Sequence, residues 1–422
     1  MSILDNLFDT GISILKSGNG VTDWLNRGIV ECGTVDTAAI LENSFHLNTV
    51  FSGSNQQYRT SALVRAIPLS LSSKLPVIAL HTSFSPLPTL IKQFSQQYQT
   101  AFINPNSMNY VPFDGINNDD AIDIIMDSIP EKYAVNPNAR YYLEAITQIL
   151  TANNKPTTFK SYLTCPHDTL FDRTDALETS GIITSNQAQG IKSKLMIGQS
   201  ENYKLDSFLK SLAKQMGNAL YSKNSRGPGV SIKQMVQRAG LIAFDIGVNC
   251  RSIYVDFIVE QIKNLSLRGA RFMLIIDSMN IAENQKLKEL VSTPLSGSTV
   301  MISCDDLIAS CSGNKDLADA ILGVAEQYFI FSHSSGASTE QWAALIGSYE
   351  KTEKSTSTQK GRTYDKYSSD PFSHPVNNDS RTVTVSKRRD YVVPPEKISG
   401  MQANEFYYKV KNTKGVKHCR VG

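Results

Sequence analysis

Residues Gly53 to Thr60 read G-S-N-Q-Q-Y-R-T, after a short apolar run (Leu47, Val50, Phe51) and before a segment with helical spacing. A loop that binds phosphate is written G-x-x-x-x-G-K-[ST] and sits between a strand and a helix. Its backbone N–H groups cradle the anion and the following helix adds its dipole. A lysine reaches the terminal phosphates and a hydroxyl holds Mg²⁺. Here the frame fits with two changes, Tyr58 at the second glycine and Arg59 at the lysine. Gly53 opens the loop, Ser54, Asn55, Gln56 and Gln57 line it, Thr60 takes the hydroxyl position and Ser61 follows. Much later the apolar run Arg271–Asp277 ends in a carboxylate, where such sites place the Asp that orients the metal's water shell. The neighbouring acid that would activate water is replaced by Ser278, which cannot act as a general base without a partner.

Each change alters the chemistry. Tyr58 brings a Cβ and a ring to a turn that favours glycine. Arg59 keeps the charge and can pair phosphate bidentately, but its planar fork is longer and shaped differently from an ammonium. Two plainer readings stand beside this one. The loop could be only a polar connection, and an Asp at the end of a buried strand can cap the next helix.

The elements that would position these residues alternate. Strand-like runs at 46–53, 74–82, 100–105, 240–246, 271–277, 298–303 and 326–332 are interleaved with helical patterns at 60–72, 89–98, 139–151 and 252–265. That rhythm predicts an α/β fold with a mostly parallel sheet covered on both faces. Between 156 and 227 helical spacing dominates and β-branched runs thin out, which predicts an all-helical insertion. The domain reading is therefore an N-terminal amphipathic helix or extension over 1–30, an α/β domain over 31–155 and 228–422, and the insertion over 156–227. Within the α/β part, 350–382 is rich in Ser, Thr, Lys and Asp and reads as a flexible loop. There is no internal repeat.

Composition narrows the classes. The 422 residues are 41% hydrophobic and 19% charged, with a net charge of +3, which suits a globular chain and falls short of a nucleic-acid footprint. No run reaches the roughly 18 apolar residues of a membrane span, and no secretory leader pattern is present. Six scattered cysteines form no C-x-x-C pair, so reduced thiols are expected rather than a zinc site; His418 beside Cys419 is weak support for a metal. Residues 1–16 place Ile3, Leu4, Leu7, Phe8, Ile12 and Leu15 on one helical stripe, suited to packing on its own domain or to a partner.

In serial order the chain resembles the coupling proteins of conjugative and type IV secretion systems, which are hexameric, RecA-type P-loop ATPases related to DNA translocases. The segment "HLNTVFSGSNQQYRT" is similar to their phosphate loop, "NARYYLEAITQILTA" to the helix leading into their all-helical domain, and "RFMLIIDSMNI" to their second acidic strand. "STVMISCDDLIAS" resembles the strand that ends in a sensor glutamine, and "SRTVTVSKRRDYVVPPEKISGM" a C-terminal segment. The departures fall on catalysis: Tyr58 for glycine, Arg59 for lysine, His81-Thr82 in place of an acidic turn, Ser278 for the second acid and Cys304 for the glutamine. The membrane-spanning N-terminus common in the family is not seen. Arg251, Arg268 and Arg271 lie near strand edges, and none is assigned as an arginine finger.

The resemblance implies a subunit of a DNA-transfer or secretion machine, weak or inactive in ATP hydrolysis, serving as an adaptor or structural component. It implies partners among the machinery proteins, DNA as a further ligand, a homo- or hetero-oligomeric ring, and a cytoplasmic place at the inner face of the membrane held through partners. Mg-ATP is the implied cofactor, with Thr60 and Asp277 as the metal-holding pair and Asp277 as the catalytic residue of an active form. Two alternatives stay open: an active, divergent translocating ATPase using Arg59, and an α/β binding protein that is no NTPase. The basic stretches Ser386–Asp390 and Lys409–Arg420 suit phosphate contact or plain solvated surface, and Tyr407 and Tyr408 suit base stacking or a half-buried strand.

Overall fold

The computed structural model describes residues 28–106, 110–163, 169–217, 229–248, 250–363 and 376–422, with 352–363 and 376–381 described as backbone only. The N-terminal stripe at 1–16 lies outside the described residues. Twelve strands are present among them: β1 Ile29–Val35, β2 Thr49–Ser52, β3 Val77–His81, β4 Thr100–Ile103, β5 Leu241–Asp245, β6 Met273–Asp277, β7 Thr299–Cys304, β8 Gln327–Phe331, β9 Ser348–Thr363, β10 Val376–Tyr391, β11 Glu405–Val410 and β12 Val416–Val421. Ten form one sheet in the order β1-β12-β11-β8-β2-β7-β6-β3-β5-β4. From β8 to β4 all neighbours run parallel; β11 is antiparallel to both β8 and β12, and β1 closes the edge parallel to β12.

The parallel strands are buried on both faces, and their side chains alternate between two cores. Ile78, Leu80, Ile242, Phe244, Leu274, Ile276 and Ile302 point to one face, which packs on the helices Asn118–Asp127, Ala139–Ala152 and Ile253–Leu267. Val77, Ala79, Leu241, Ala243, Met273, Ile275 and Met301 point to the other, with Leu63, Ile67 and Leu71 of the helices after β2. Burying each such aliphatic side chain contributes about 1.5–3 kcal/mol, so the sheet's interior strands carry the stability.

Helical elements fill most of 139–216: Ala139–Ala152, Phe159–Leu163, Leu170–Thr179, Ser185–Gly198 and Asn202–Met216. Thr184 and Gln187 form a capping box at the start of Ser185–Gly198.

Two stretches differ from the sequence expectation. The span 350–382, expected as a flexible loop, falls largely on β9 and β10, two 16-residue strands paired antiparallel from Ser348↔Tyr391 to Thr363↔Val376. A two-stranded ribbon pairs the inward half of its backbone groups across the ladder and leaves the outward half to water, so polar Ser- and Thr-rich segments can form it and composition alone misleads. The helix after β2, expected from residue 60, starts at Gln56. The reason is Asn55, whose side-chain oxygen accepts from the Tyr58 N–H at 3.2 Å and caps the helix early.

The C-terminal tyrosines are both buried, Tyr407 in one core and Tyr408 in the other, on opposite faces of β11. Tyr407 and Tyr408 are 6% and 7% exposed, and the Tyr408 hydroxyl donates to Gln327 Oε1 at 3.0 Å, so neither is placed to stack bases. His418 stacks on Tyr407 and sits 2.7 Å from Glu31 Oε2. The five described cysteines are free thiols, and Cys165 lies outside the described residues.

Candidate functional site

In open α/β sheets ligands bind outside the carboxyl ends of the strands. Here the ends of β8, β2, β7, β6 and β3 lie side by side. Register sets Ser52 beside Cys304, Asp277 beside Ser303, and His81 beside Asp277. The sequence-expected residues Gly53 to Ser61 and Asp277 therefore converge at one edge.

The loop itself is short. Between the last residue of β2 and the first of the helix lie only Gly53, Ser54 and Asn55, so Arg59 and Thr60 sit about one turn inside the helix rather than at its mouth. Three of the N–H groups around this loop are used internally, while those of Asn55, Gln56 and Gln57 have no acceptor within it. Gly53 N donates to Cys304 O at 3.1 Å, Ser54 N to Ser332 O at 2.8 Å, and Tyr58 N to the Asn55 cap. Gly53 has φ +154°, and a Cβ there would lie 2.3 Å from Phe331 Cβ, so glycine is required by both backbone and space. Gln57 and Tyr58 are exposed.

Arg59 is fully buried and turned inward. Its Nε donates to Ser303 Oγ at 2.8 Å, Nη1 to the Gly53 carbonyl, and Nη2 to Ser278 Oγ at 3.3 Å. Asp305 Oδ1 completes the set 2.6 Å from Nη2, with an Asp305 side chain that is 70% exposed. Gln56 Nε2 donates to the same Ser278 Oγ at 2.9 Å, which ties the helix start to the end of β6. The guanidinium thus meets its own carboxylate in the place where the motif's cation meets a phosphate.

Thr60 and Asp277 are brought together. Thr60 Oγ1 lies 3.4 Å from Asp277 Oδ1, and Ser85 Oγ donates to Asp277 Oδ2. Thr60 and Asp277 are both 0% exposed. Asp277 does not cap the next helix; Asn284 caps Gln285–Ser292 instead. The donor set of a hydroxyl and a carboxylate suits Mg²⁺, but Ser85 covers the carboxylate and would have to give way. Among the described residues no group of three His, Cys, Asp or Glu side chains is arranged to hold a metal. Ser61 is half-buried on the same helix and makes no contact with this set that the structure records as a side-chain hydrogen bond.

Sequence reasoning missed Ser85, Ser303, Asp305 and His333. The first three could have been suspected only from register, since each is a short polar residue just inside or past a strand end. His333 follows β8, is 1% exposed, and has burial pushing its pKa down to about 4, opposed by Asp306 and reinforced by Arg59. Its Nε2 and the Trp342 Nε1 have no hydrogen-bond partner. His81, at the end of β3, is also depressed by burial, against a bond to Thr82 O and the charges of Asp245 and Asp277. Burial raises the Cys304 thiol to about 11, so it is no nucleophile at neutral pH.

His333 gives a pH prediction. Unfolded it binds a proton below about 6.5, while folded it stays neutral down to about 4. The unfolded state therefore holds more protons across that window, and stability falls as pH drops from 6.5 to 4, by about 3 kcal/mol in all at ~1.36 kcal/mol per unit. Urea midpoints of wild type and His333→Gln across that range should differ in slope, the variant being flatter. Parallel profiles would remove His333 as the cause.

The sequence matches no family model and no curated protein. Solved structures do match. A bacterial conjugative coupling protein, TrwBdeltaN70 in unbound form, aligns at TM-score 0.52 and 12% identity over 90% of this chain and 85% of its own. TrwB in complex with ADP and Mg²⁺ aligns at 0.53 and 12%, over 92% and 89%. TrwB with a non-hydrolysable ATP analogue aligns at 0.52 and 12%, over the same shares. With the parallel sheet, the loop after β2 and the Asp-terminated β6 in the same chain, this chain shares its RecA-type α/β fold with the solved coupling protein TrwB.

Proposed function

We propose that this chain is a coupling-protein-like subunit of a conjugative DNA-transfer or type IV secretion machine, acting as an adaptor or structural component with a degenerate nucleotide site. The observation that carries the proposal is Arg59. It stands at the motif's lysine, is fully buried, and is held by Gly53 O, Ser303, Ser278 and Asp305 through four of its five N–H donors. A phosphate would have to displace Asp305 and release the Gly53 and Ser54 N–H groups from the carbonyls that hold them. Scaffold kept with the chemistry turned inward is what a non-hydrolysing subunit of a ring needs, with turnover supplied by an active paralogue.

The second reading, a divergent active ATPase, is favoured by one observation: Thr60 and Asp277 remain in contact at 3.4 Å, as a Mg²⁺-holding pair must. The two readings separate by titration calorimetry. Mg-ATP is expected to give no micromolar binding to wild type. Micromolar binding that is lost in an Arg59→Ala, Asp277→Ala double variant would favour the active reading. A third reading, an α/β binding protein outside the NTPases, gains if neither Mg-ATP nor machinery proteins bind.

Partners follow the same proposal: machinery proteins, a homo- or hetero-oligomeric ring, and DNA as a further ligand. Among the described residues no helix is long and apolar enough to cross a membrane. A cytoplasmic place at the inner face of the membrane, held through partners, is part of the proposal. The basic stretch Ser386–Asp390 lies on β10 and is mostly exposed, available for phosphate contact. Of the three arginines near strand edges, Arg268 is paired with buried Asp120, which argues for a structural role.

A further inference from the structure

A buried lysine, with an exposed one beside it, lies at the other end of β8. β11 sets Lys409 beside Tyr328 in antiparallel register. Lys409 is 6% exposed, and its ammonium donates to the Thr413 carbonyl. Lys411 donates to the Gly323 carbonyl, near the end of the helix Lys315–Val324. Neither makes an ion pair among the described residues. Burial alone lowers the Lys409 pKa, with no opposing carboxylate. An ammonium carries three N–H donors, and one carbonyl satisfies one of them. Burying such a group without an anion costs free energy that a methionine in the same space would not.

Both lysines line a cavity of about 480 Å³, walled by Leu322, Tyr328, Ala344 and Leu345. Gln341 also lines it. Its Nε2 donates to Asp319 Oδ1 at 3.3 Å, while its Oε1 is buried and has no partner. Asp319 is the acid among the lining residues, and its carboxylate is engaged by that amide. The cavity therefore combines two cations with no direct carboxylate partner, one carboxylate held by an amide, an unused acceptor and an apolar wall, which leaves one net positive charge. Its volume falls in the range of small-molecule sites, about 300–1,000 Å³.

We propose that this cavity binds a small organic anion, a carboxylate or a phosphate monoester, whose charge pairs with Lys409 and Lys411 and whose donor group meets Gln341 Oε1. The site is distinct from the Arg59 cluster. It lies at the amino end of β8, and the Arg59 cluster lies at the carboxyl ends of the strands, roughly 15 Å away along a five-residue strand. The proposal does not rest on the nucleotide reading.

The test is the melting temperature of the full chain in inorganic phosphate, in succinate and in chloride at equal ionic strength. Wild type should melt higher, saturably, in at least one of the two anions than in chloride. A larger rise with phosphate assigns a phosphate ester, and a larger rise with succinate assigns a carboxylate. Lys409→Met should melt higher than wild type in chloride and lose the anion-dependent rise. Lys411→Met, at an exposed position that tolerates change, should keep the fold and lose most of the rise, which keeps the test decisive if Lys409→Met folds poorly. No rise in either anion, or an undiminished rise in both variants, would overturn the proposal.

Discussion

Arg59→Lys, which restores the motif's lysine, is expected to destabilise the protein by about 2–4 kcal/mol and to bring no ATP turnover. The guanidinium spreads its donors over Gly53 O, Ser303 Oγ, Ser278 Oγ and Asp305. An ammonium is a compact charge on a flexible stem and cannot span that set. Hydrogen bonds to charged groups contribute about 1.5–3 kcal/mol each, and an acceptor left buried without a donor costs a comparable amount. Asp305 is largely exposed and re-solvates, so its share of the loss is small. The Gly53 and Ser54 N–H groups stay on their carbonyls in the variant, so the loop does not present them to a phosphate beside the lysine. Urea unfolding reads the first effect as a lower midpoint at unchanged slope, and a steady-state phosphate-release assay reads the second. A lysine variant as stable as wild type and active on ATP would mean that Arg59 holds nothing together.

Gly53→Ala, whose added Cβ meets the shortest contact among the described glycines, should cost about 3 kcal/mol or prevent folding. The residue holds φ +154°, and the new Cβ would lie 2.3 Å from Phe331 Cβ with the Phe331 backbone at 3.0 Å behind it. Phe331 cannot retreat, because it is fully buried against Phe406, at 5.4 Å between ring centroids. Overpacking and forced backbone geometry each cost about 1–3 kcal/mol, and here they act together. The displaced loop would also loosen Gly53 N from Cys304 O and Gly53 O from Arg59. Gly190→Ala is the control. That glycine is inside the helix Ser185–Gly198 with nothing within 4 Å of a Cβ, and a gain of about 0.5–1 kcal/mol is expected. Thermal unfolding of the two variants should move in opposite directions; similar shifts would contradict the packing argument at Gly53.

The strands of the parallel sheet were legible because each is a bounded apolar run: β2, β3, β4, β5, β6 and β8 fall inside the expected spans, and β7 runs one residue past its span to Cys304. The edge was not. β1 pairs with β12 across nearly the whole chain, with Ile29 beside Val416, and no local pattern announces so distant a partner. Asn55 shows how one cap moved an element boundary, and with it the geometry of the candidate site. The positions of Gly53, Thr60 and Asp277 at one edge were readable from motif order. The inward turn of Arg59 was not, because it depends on Ser303 and Asp305 arriving on a neighbouring strand end more than two hundred residues away.

On the proposed reading, the segment at the phosphate-loop position serves as an internal structural junction held by Arg59. The most direct measurement is steady-state hydrolysis of Mg-ATP by the purified full chain, with and without DNA, beside Asp277→Ala. The account predicts no turnover above background in either protein under either condition. Robust Mg²⁺-dependent hydrolysis by wild type, abolished by Asp277→Ala, would contradict it and assign the chain to the working ATPases.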